Sequence, residues 1–199
     1  MYKKIPCLIY ALLAGCLFFS APLAIAAQDV LPGDIFTAIM LKSLDYDRNI
    51  DRHAQGKVVI AVVCISGDER ERDFADQVKD NISTVQSTFM IKDKPIAGKV
   101  LSLEKTFDKA KLREQLRQEN VSVLVLAVND LAYVSNIFAL TREMQISSVC
   151  REPGYARNGV GLEIIQKDGK PRMVINLASV KQEGGDYSSK YLDLCEVIK

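Results

Sequence analysis

The chain has 199 residues, with 26 Lys and Arg against 25 Asp and Glu, one His, five Cys and no Trp. Hydrophobic residues make up 48% and charged residues 26%, the balance of an ordinary folded domain. One histidine excludes multi-histidine metal sites, and a net charge of +1 argues against a surface built on phosphate contacts. The expectation is therefore no metal, no cofactor and no nucleic-acid partner.

Lys3 and Lys4 precede an uncharged apolar stretch, residues 5–27, that ends in small residues. These are the parts of a secretory signal, and Ala24-Ile25-Ala26 supplies a cleavage pattern before Ala27. The expected division is a signal peptide over 1–26 and one domain over 27–199, with the domain in the periplasm. Leu13-Ala14-Gly15-Cys16 offers the alternative of a lipid anchor on Cys16, and an uncleaved span is the third option. Loss of the leader leaves 173 residues, enough for one domain with a real core, and three cysteines: Cys64, Cys150 and Cys195. An odd count in an oxidising compartment permits at most one internal disulfide plus a free or intermolecular redox thiol; three buried thiols are the equal alternative.

Gly33-Asp34 opens a helix with Ile35, Phe36, Ile39, Met40 and Leu44 on one stripe, which stops at Tyr46-Asp47-Arg48-Asn49. Residues 57–64 form an unbroken apolar run, typical of a strand buried on both faces. Ser66-Gly67-Asp68 ends it, and residues 72–89 read as a helix. A short strand at 100–103 follows, then a helix over 107–119 capped by Thr106. Residues 121–128 form a second central strand, Asn129-Asp130 cap a helix to about Met144, and 146–150 form another strand. Strand and helix in alternation predict an α/β, single-domain, three-layer sandwich around a mostly parallel sheet, with strand order near 2-1-3-4. Residues 160–165 and 172–177 flank Lys167-Asp168-Gly169-Lys170, a signal for a C-terminal antiparallel hairpin extending that sheet. Ser188 opens a closing helix that carries Tyr191, Leu192, Leu194, Val197 and Ile198.

The chemistry-bearing motifs are missing from this pattern. No G-x-S-x-G elbow accompanies the solitary His53, which reads as a solvated loop residue. Gly98-Lys99 lacks the rest of a P-loop, Gly159-Val160-Gly161 lacks the third glycine of a dinucleotide fingerprint, and there is no C-x-x-C. Candidate binding residues are instead positional, because ligands of open parallel sheets sit beyond the carboxyl ends of the strands. Those ends carry Ser66, Asp68, Asn129, Asp130 and Arg151, of which all but Arg151 are residue types that usually serve as caps and turn formers. Tyr46, Asp47, Arg48 and Asn49 are dense in hydrogen-bonding capacity; Asp47 and Arg48 either pair locally or form a recognition surface.

Several segments, in order, resemble the YfiR-like periplasmic regulators. They are Ile146-Ser147-Ser148-Val149, Glu152-Pro153-Gly154-Tyr155-Ala156, Gly159-Val160-Gly161-Leu162, residues 170–178, and the tail 187–194. At the front, residues 39–49 and the strand to Cys64 resemble one branch of that family. The resemblance implies a non-enzymatic periplasmic protein that represses a membrane-bound diguanylate cyclase. It would bind the periplasmic domain of that inner-membrane sensor, with a homodimer and cysteine redox state as further features. Many members carry Trp-Pro where this chain has Tyr46-Asp47-Arg48, and three cysteines cannot form the two disulfides of the type member. A periplasmic solute-binding protein of a transport system is the alternative function.

Overall fold

The structure, a computed structural model, describes residues 30–52 and 54–199. The expected leader, with Cys16 and the cleavage pattern, lies outside the described residues, as does His53.

Helix α1 (Gly33–Asp45) precedes strand β1 (Val58–Ile65), and helix α2 (Glu69–Val85) follows it. A two-residue strand β2 (Met90–Ile91) turns back into β3 (Lys94–Leu103). Helix α3 (Lys109–Gln118), β4 (Val121–Leu126), α4 (Leu131–Met144) and β5 (Ser147–Cys150) continue the alternation. After a 3-10 turn (Ala156–Asn158) come β6 (Leu162–Lys167) and β7 (Lys170–Asn176), then α5 (Leu177–Gln182), α6 (Ser189–Leu192) and β8 (Glu196–Ile198).

The sheet runs β2-β3-β1-β4-β5-β6-β7-β8. Its centre, β3-β1-β4-β5, has the order 2-1-3-4 expected from right-handed crossovers, and all of its pairings are parallel. β6 joins β5 in parallel, and β7 returns antiparallel across Asp168-Gly169, both at positive φ as this tight turn requires. The α/β fold with a C-terminal hairpin is therefore the one the sequence predicted.

Alternation along β1 builds both core layers. Val58, Ile60, Val62 and Cys64 face Phe36, Met40 and Leu44 of α1 and Phe74, Val78 and Ile82 of α2. Val59, Ala61 and Val63 face Leu112 and Leu116 of α3 and Val134 and Ile137 of α4. A strand covered on both faces has no solvent side, which is why its sequence is uniformly apolar.

Four details depart from the sequence reading. The strand expected at 100–103 begins at Lys94, because Lys92-Asp93 turns the chain with both residues at positive φ and without the glycine that signals such a turn. Helix α3 is capped by Asp108, whose side chain accepts the Lys111 N–H at 2.9 Å, and not by Thr106. The second hairpin arm stops at Asn176, which caps α5 by accepting the Ser179 N–H at 3.0 Å. Val197 and Ile198 lie in edge strand β8, parallel to β7, rather than in the closing helix, which ends at Leu192. Two adjacent β-branched residues favour a strand there.

Candidate functional site

The first candidate site lies beyond the carboxyl ends of β1, β4 and β5. Asp68 and Asp130 sit there as helix caps: Asp68 accepts the Glu71 N–H at 3.0 Å, and Asp130 accepts those of Ala132 and Tyr133 at 2.9 and 3.2 Å. Ser66 is exposed and donates its backbone N–H to Leu103 O at 2.7 Å.

The residue that joins these loops is Glu71, which the sequence reading missed. Its side chain is buried, Oε2 accepting the Ile65 N–H at 2.8 Å and Oε1 the Asn129 N–H at 2.9 Å. Glu71 stands three residues after the cap Asp68, the place of a capping-box glutamate, but it reaches across to the neighbouring strand ends. The cleft between β1 and β4 is where the strand order reverses and where ligands of such sheets sit. Here a carboxylate of the chain itself holds the backbone donors that an anion would use.

Arg151 completes this edge. Its guanidinium carbon lies 3.7 Å from the centre of the Phe74 ring, and Nε lies 3.5 Å from Glu152 Oε1. Burial pushes the Arg151 pKa down and that of Glu152 up. The structure thus brings Ser66, Asp68, Asn129, Asp130 and Arg151 to one edge, where Asp68 and Asp130 are occupied as helix caps and Arg151 lies against Phe74 and Glu152.

Tyr46, Asp47, Arg48 and Asn49 lie elsewhere, against residues 184–188. Buried Asp47 accepts the N–H groups of Asn49 and Asp186 at 2.9 and 2.8 Å through Oδ1, and its backbone forms an antiparallel bridge to Tyr187. Arg48 pairs with Asp186 at 3.3 Å rather than with its neighbour, and the Asn49 amide donates to Gly184 O at 3.0 Å. Tyr46 stacks on Tyr191 at 5.2 Å, and Tyr191 stacks on Tyr187. These residues clamp a loop nearly 140 positions downstream, a role that no local spacing could reveal.

That loop begins at Glu183, buried among three donors. Its carboxylate accepts Thr141 Oγ1 at 2.9 Å, Ser148 Oγ at 2.6 Å and the Ser148 N–H at 3.0 Å. Burial pushes its pKa up to about 7, against the pull of those hydrogen bonds and of Arg142.

The three cysteines are free thiols. Cys64 faces the layer of α1 and α2, and Cys150 faces the layer of α3 and α4. β4 lies between their strands, which puts β1 and β5 about 10 Å apart, beyond the ~7 Å that a disulfide spans between Cα atoms. Cys195, next to β8, is separated from β5 by β6 and β7. Burial raises the pKa of all three, that of Cys195 to about 11, so the protonated thiol prevails at neutral pH.

A further concavity, a groove of about 900 Å³, lies on the hairpin. Its lining includes Ile165, Arg172, Val174 and Leu194 together with the carboxylates Glu163, Asp168, Asp193 and Glu196.

The family model described as YfiR/HmsC-like matches residues 38–196, from within α1 into β8. The chain belongs to the YfiR/HmsC-like family. The resemblance carried by its loose motifs is thereby established over most of its length. No curated protein matches the sequence.

Among solved structures, a conserved domain protein from Vibrio cholerae is similar at a TM-score of 0.58 and 12% identity, over 84% of this chain and 60% of that one. The ABC domain of Streptococcus pneumonia in complex with L-Trp gives a TM-score of 0.54 at 8% identity, over 78% of this chain and 60% of that one. CD0873, a substrate binding protein with adhesive properties from Clostridium difficile, gives 0.52 at 13%, over 79% and 59%. The chain spans about three fifths of each of these structures, and at such identities the likeness is one of fold. Among the described residues no helix is long and apolar enough to cross a membrane.

Proposed function

We propose that this protein is a non-catalytic periplasmic regulator that represses a membrane-bound diguanylate cyclase by binding the periplasmic domain of that enzyme. The observation that carries this reading is the family match over residues 38–196. The site geometry supports contact with a protein over capture of a solute. At the cleft where an open sheet ordinarily takes its ligand, Glu71 already satisfies the donors of Ile65 and Asn129. The hairpin meanwhile offers an open groove outside the core layers.

Deletion of the gene, with measurement of cellular cyclic-di-GMP, tests the proposal. The expected result is a rise that the exported chain reverses, together with recovery of the chain on the purified periplasmic domain of the cyclase. An unchanged cyclic-di-GMP level in the deletion strain overturns it. Light scattering of the purified protein tests the accompanying expectation of a homodimer.

A further inference from the structure

Glu71 is met by two backbone N–H groups, which can only donate. Glu183 is met by one such group and by two hydroxyls, and a hydroxyl can reverse its role. The Thr141 hydroxyl carries one proton and has two acceptors in reach, Glu183 Oε1 at 2.9 Å and the Phe138 carbonyl oxygen at 3.1 Å. With Glu183 ionised, that proton points to Oε1. With Glu183 protonated on Oε1, the carboxyl donates to Thr141 Oγ1 and the Thr141 proton turns to Phe138. Ser148 donates its hydroxyl to Oε1 and its N–H to Oε2 in either state. The surroundings thus hold hydrogen-bond partners for both protonation states of one buried carboxyl group.

What differs between the states is the charge. Arg142 of α4 is the cation beside Glu183. A Cβ on Gly159 would lie 2.9 Å from Arg142 Nη2, and one on Gly161 would lie 2.7 Å from Glu183 Oε2, so the two groups sit against glycines two residues apart. Arg142 is loosely held. Its Nη2 donates to Gly159 O at 3.4 Å and to Ser179 Oγ at 3.3 Å, and its buried Nε has no hydrogen-bond partner among the described residues. The other titratable groups about loop 183–188 are Tyr187, which burial keeps protonated, and Asp47, which accepts the N–H groups of Asn49 and Asp186. β5 faces Glu183 with Ser148, and α5 faces Arg142 with Ser179, both uncharged.

We propose that Glu183 and Arg142 form a proton-operated latch between α4, α5 and the entry of β6. Protonated Glu183 leaves Arg142 on Gly159 O and Ser179 Oγ, and the latch is closed. When the proton leaves to water, the buried carboxylate draws the guanidinium toward Oε2 and those two long bonds open. Residues 159–161, which lead into the first arm of the hairpin, then lose their tie to α4. Burial places the change near neutral pH, at about 7. The C-terminal half of the sheet thereby responds to the acidity around the chain, whatever partner the chain binds.

The test is a pH titration of the isotope-labelled mature chain by NMR, following the Glu183 side-chain carboxyl carbon, the amides of Gly159, Gly161 and Ser179, and the Arg142 Nε–H. All should shift with one midpoint, within about one unit of 7. Glu183→Gln should make the four N–H signals independent of pH across that range. Arg142→Gln should raise the Glu183 midpoint, because a neighbouring cation is lost, and abolish the shifts at Gly159 and Ser179 while that of Ser148 persists. A Glu183 carboxyl that titrates near 4.5 or not at all, N–H signals that move with a different midpoint, or an unchanged response in Arg142→Gln would each overturn the proposal. If Arg142→Gln does not fold, the natural chain decides alone: a common midpoint supports the latch and separate midpoints overturn it.

Discussion

Glu183 meets Ser148 twice, its Oε1 accepting the hydroxyl at 2.6 Å and its Oε2 the backbone N–H at 3.0 Å. The same Ser148 hydroxyl accepts the Gly161 N–H at 2.9 Å, so one carboxylate ties the loop after α5 to β5 and to the entry of β6. Thr141 brings α4 into the same knot.

Glu183 makes stability depend on pH. Its folded pKa of about 7 lies above the ordinary carboxyl value of 4.5, because burial disfavours the charged form. A raised carboxyl pKa means that the folded state holds the proton more tightly than the unfolded chain. The stabilisation is therefore complete below about pH 4.5 and is lost as pH rises through 7. The urea midpoint should fall between pH 5 and pH 8, and Glu183→Gln should remove most of that fall. A midpoint that falls equally in both proteins would locate the titrating group elsewhere.

Gly161 is required by the same knot. A Cβ there would lie 2.7 Å from Glu183 Oε2 and 3.3 Å from the Ser148 carbonyl oxygen. Gly161→Ala should destabilise by about 1–3 kcal/mol, the usual cost of overpacking, measured by denaturant unfolding. A variant as stable as the natural chain would show that the carboxylate can move aside freely.

Glu71 holds the ends of β1 and β4 together. Glu71→Ala leaves the N–H groups of Ile65 and Asn129 without their acceptor, at about 1–3 kcal/mol for each one that water cannot reach. Hydrogen exchange of these two amides should accelerate selectively in that variant. Exchange unchanged at both would remove Glu71 from its bridging role.

Asp47 and Arg48 should differ sharply although they are adjacent. Asp47→Ala removes a buried acceptor of two backbone N–H groups and should cost roughly 1–3 kcal/mol, with residues 184–188 becoming sensitive to protease. Arg48→Ala breaks an ion pair exposed on both sides and should cost at most about 1 kcal/mol. Equal effects would mean that the surface pair, and not the buried carboxylate, holds the loop.

The elements of the central fold were legible because their physics is local. The apolar run of β1 and the stripe of α1 carry their own periodicity, and Asp168-Gly169 announces its turn through glycine. The β2–β3 turn was missed because Lys92-Asp93 adopts positive φ without a glycine to announce it. Helix α5 was missed because Asn176, a good cap, follows a strand-like run without a break.

By itself the sequence determined the layer order, the direction of the central strands and the family, since all three rest on patterns within short windows. Only the tertiary structure decided what the polar residues do. Glu71, Glu183 and Asp47 are ordinary loop and helix carboxylates in the sequence, and each becomes a buried fastener through partners brought near by folding. That Lys167, Lys170 and Arg172 share a side of the hairpin was equally hidden, because they do so only once the register of β6 against β7 is fixed. A carboxylate or an ammonium takes its role from the donors and charges around it, and those are set by distance in space, not by position along the chain.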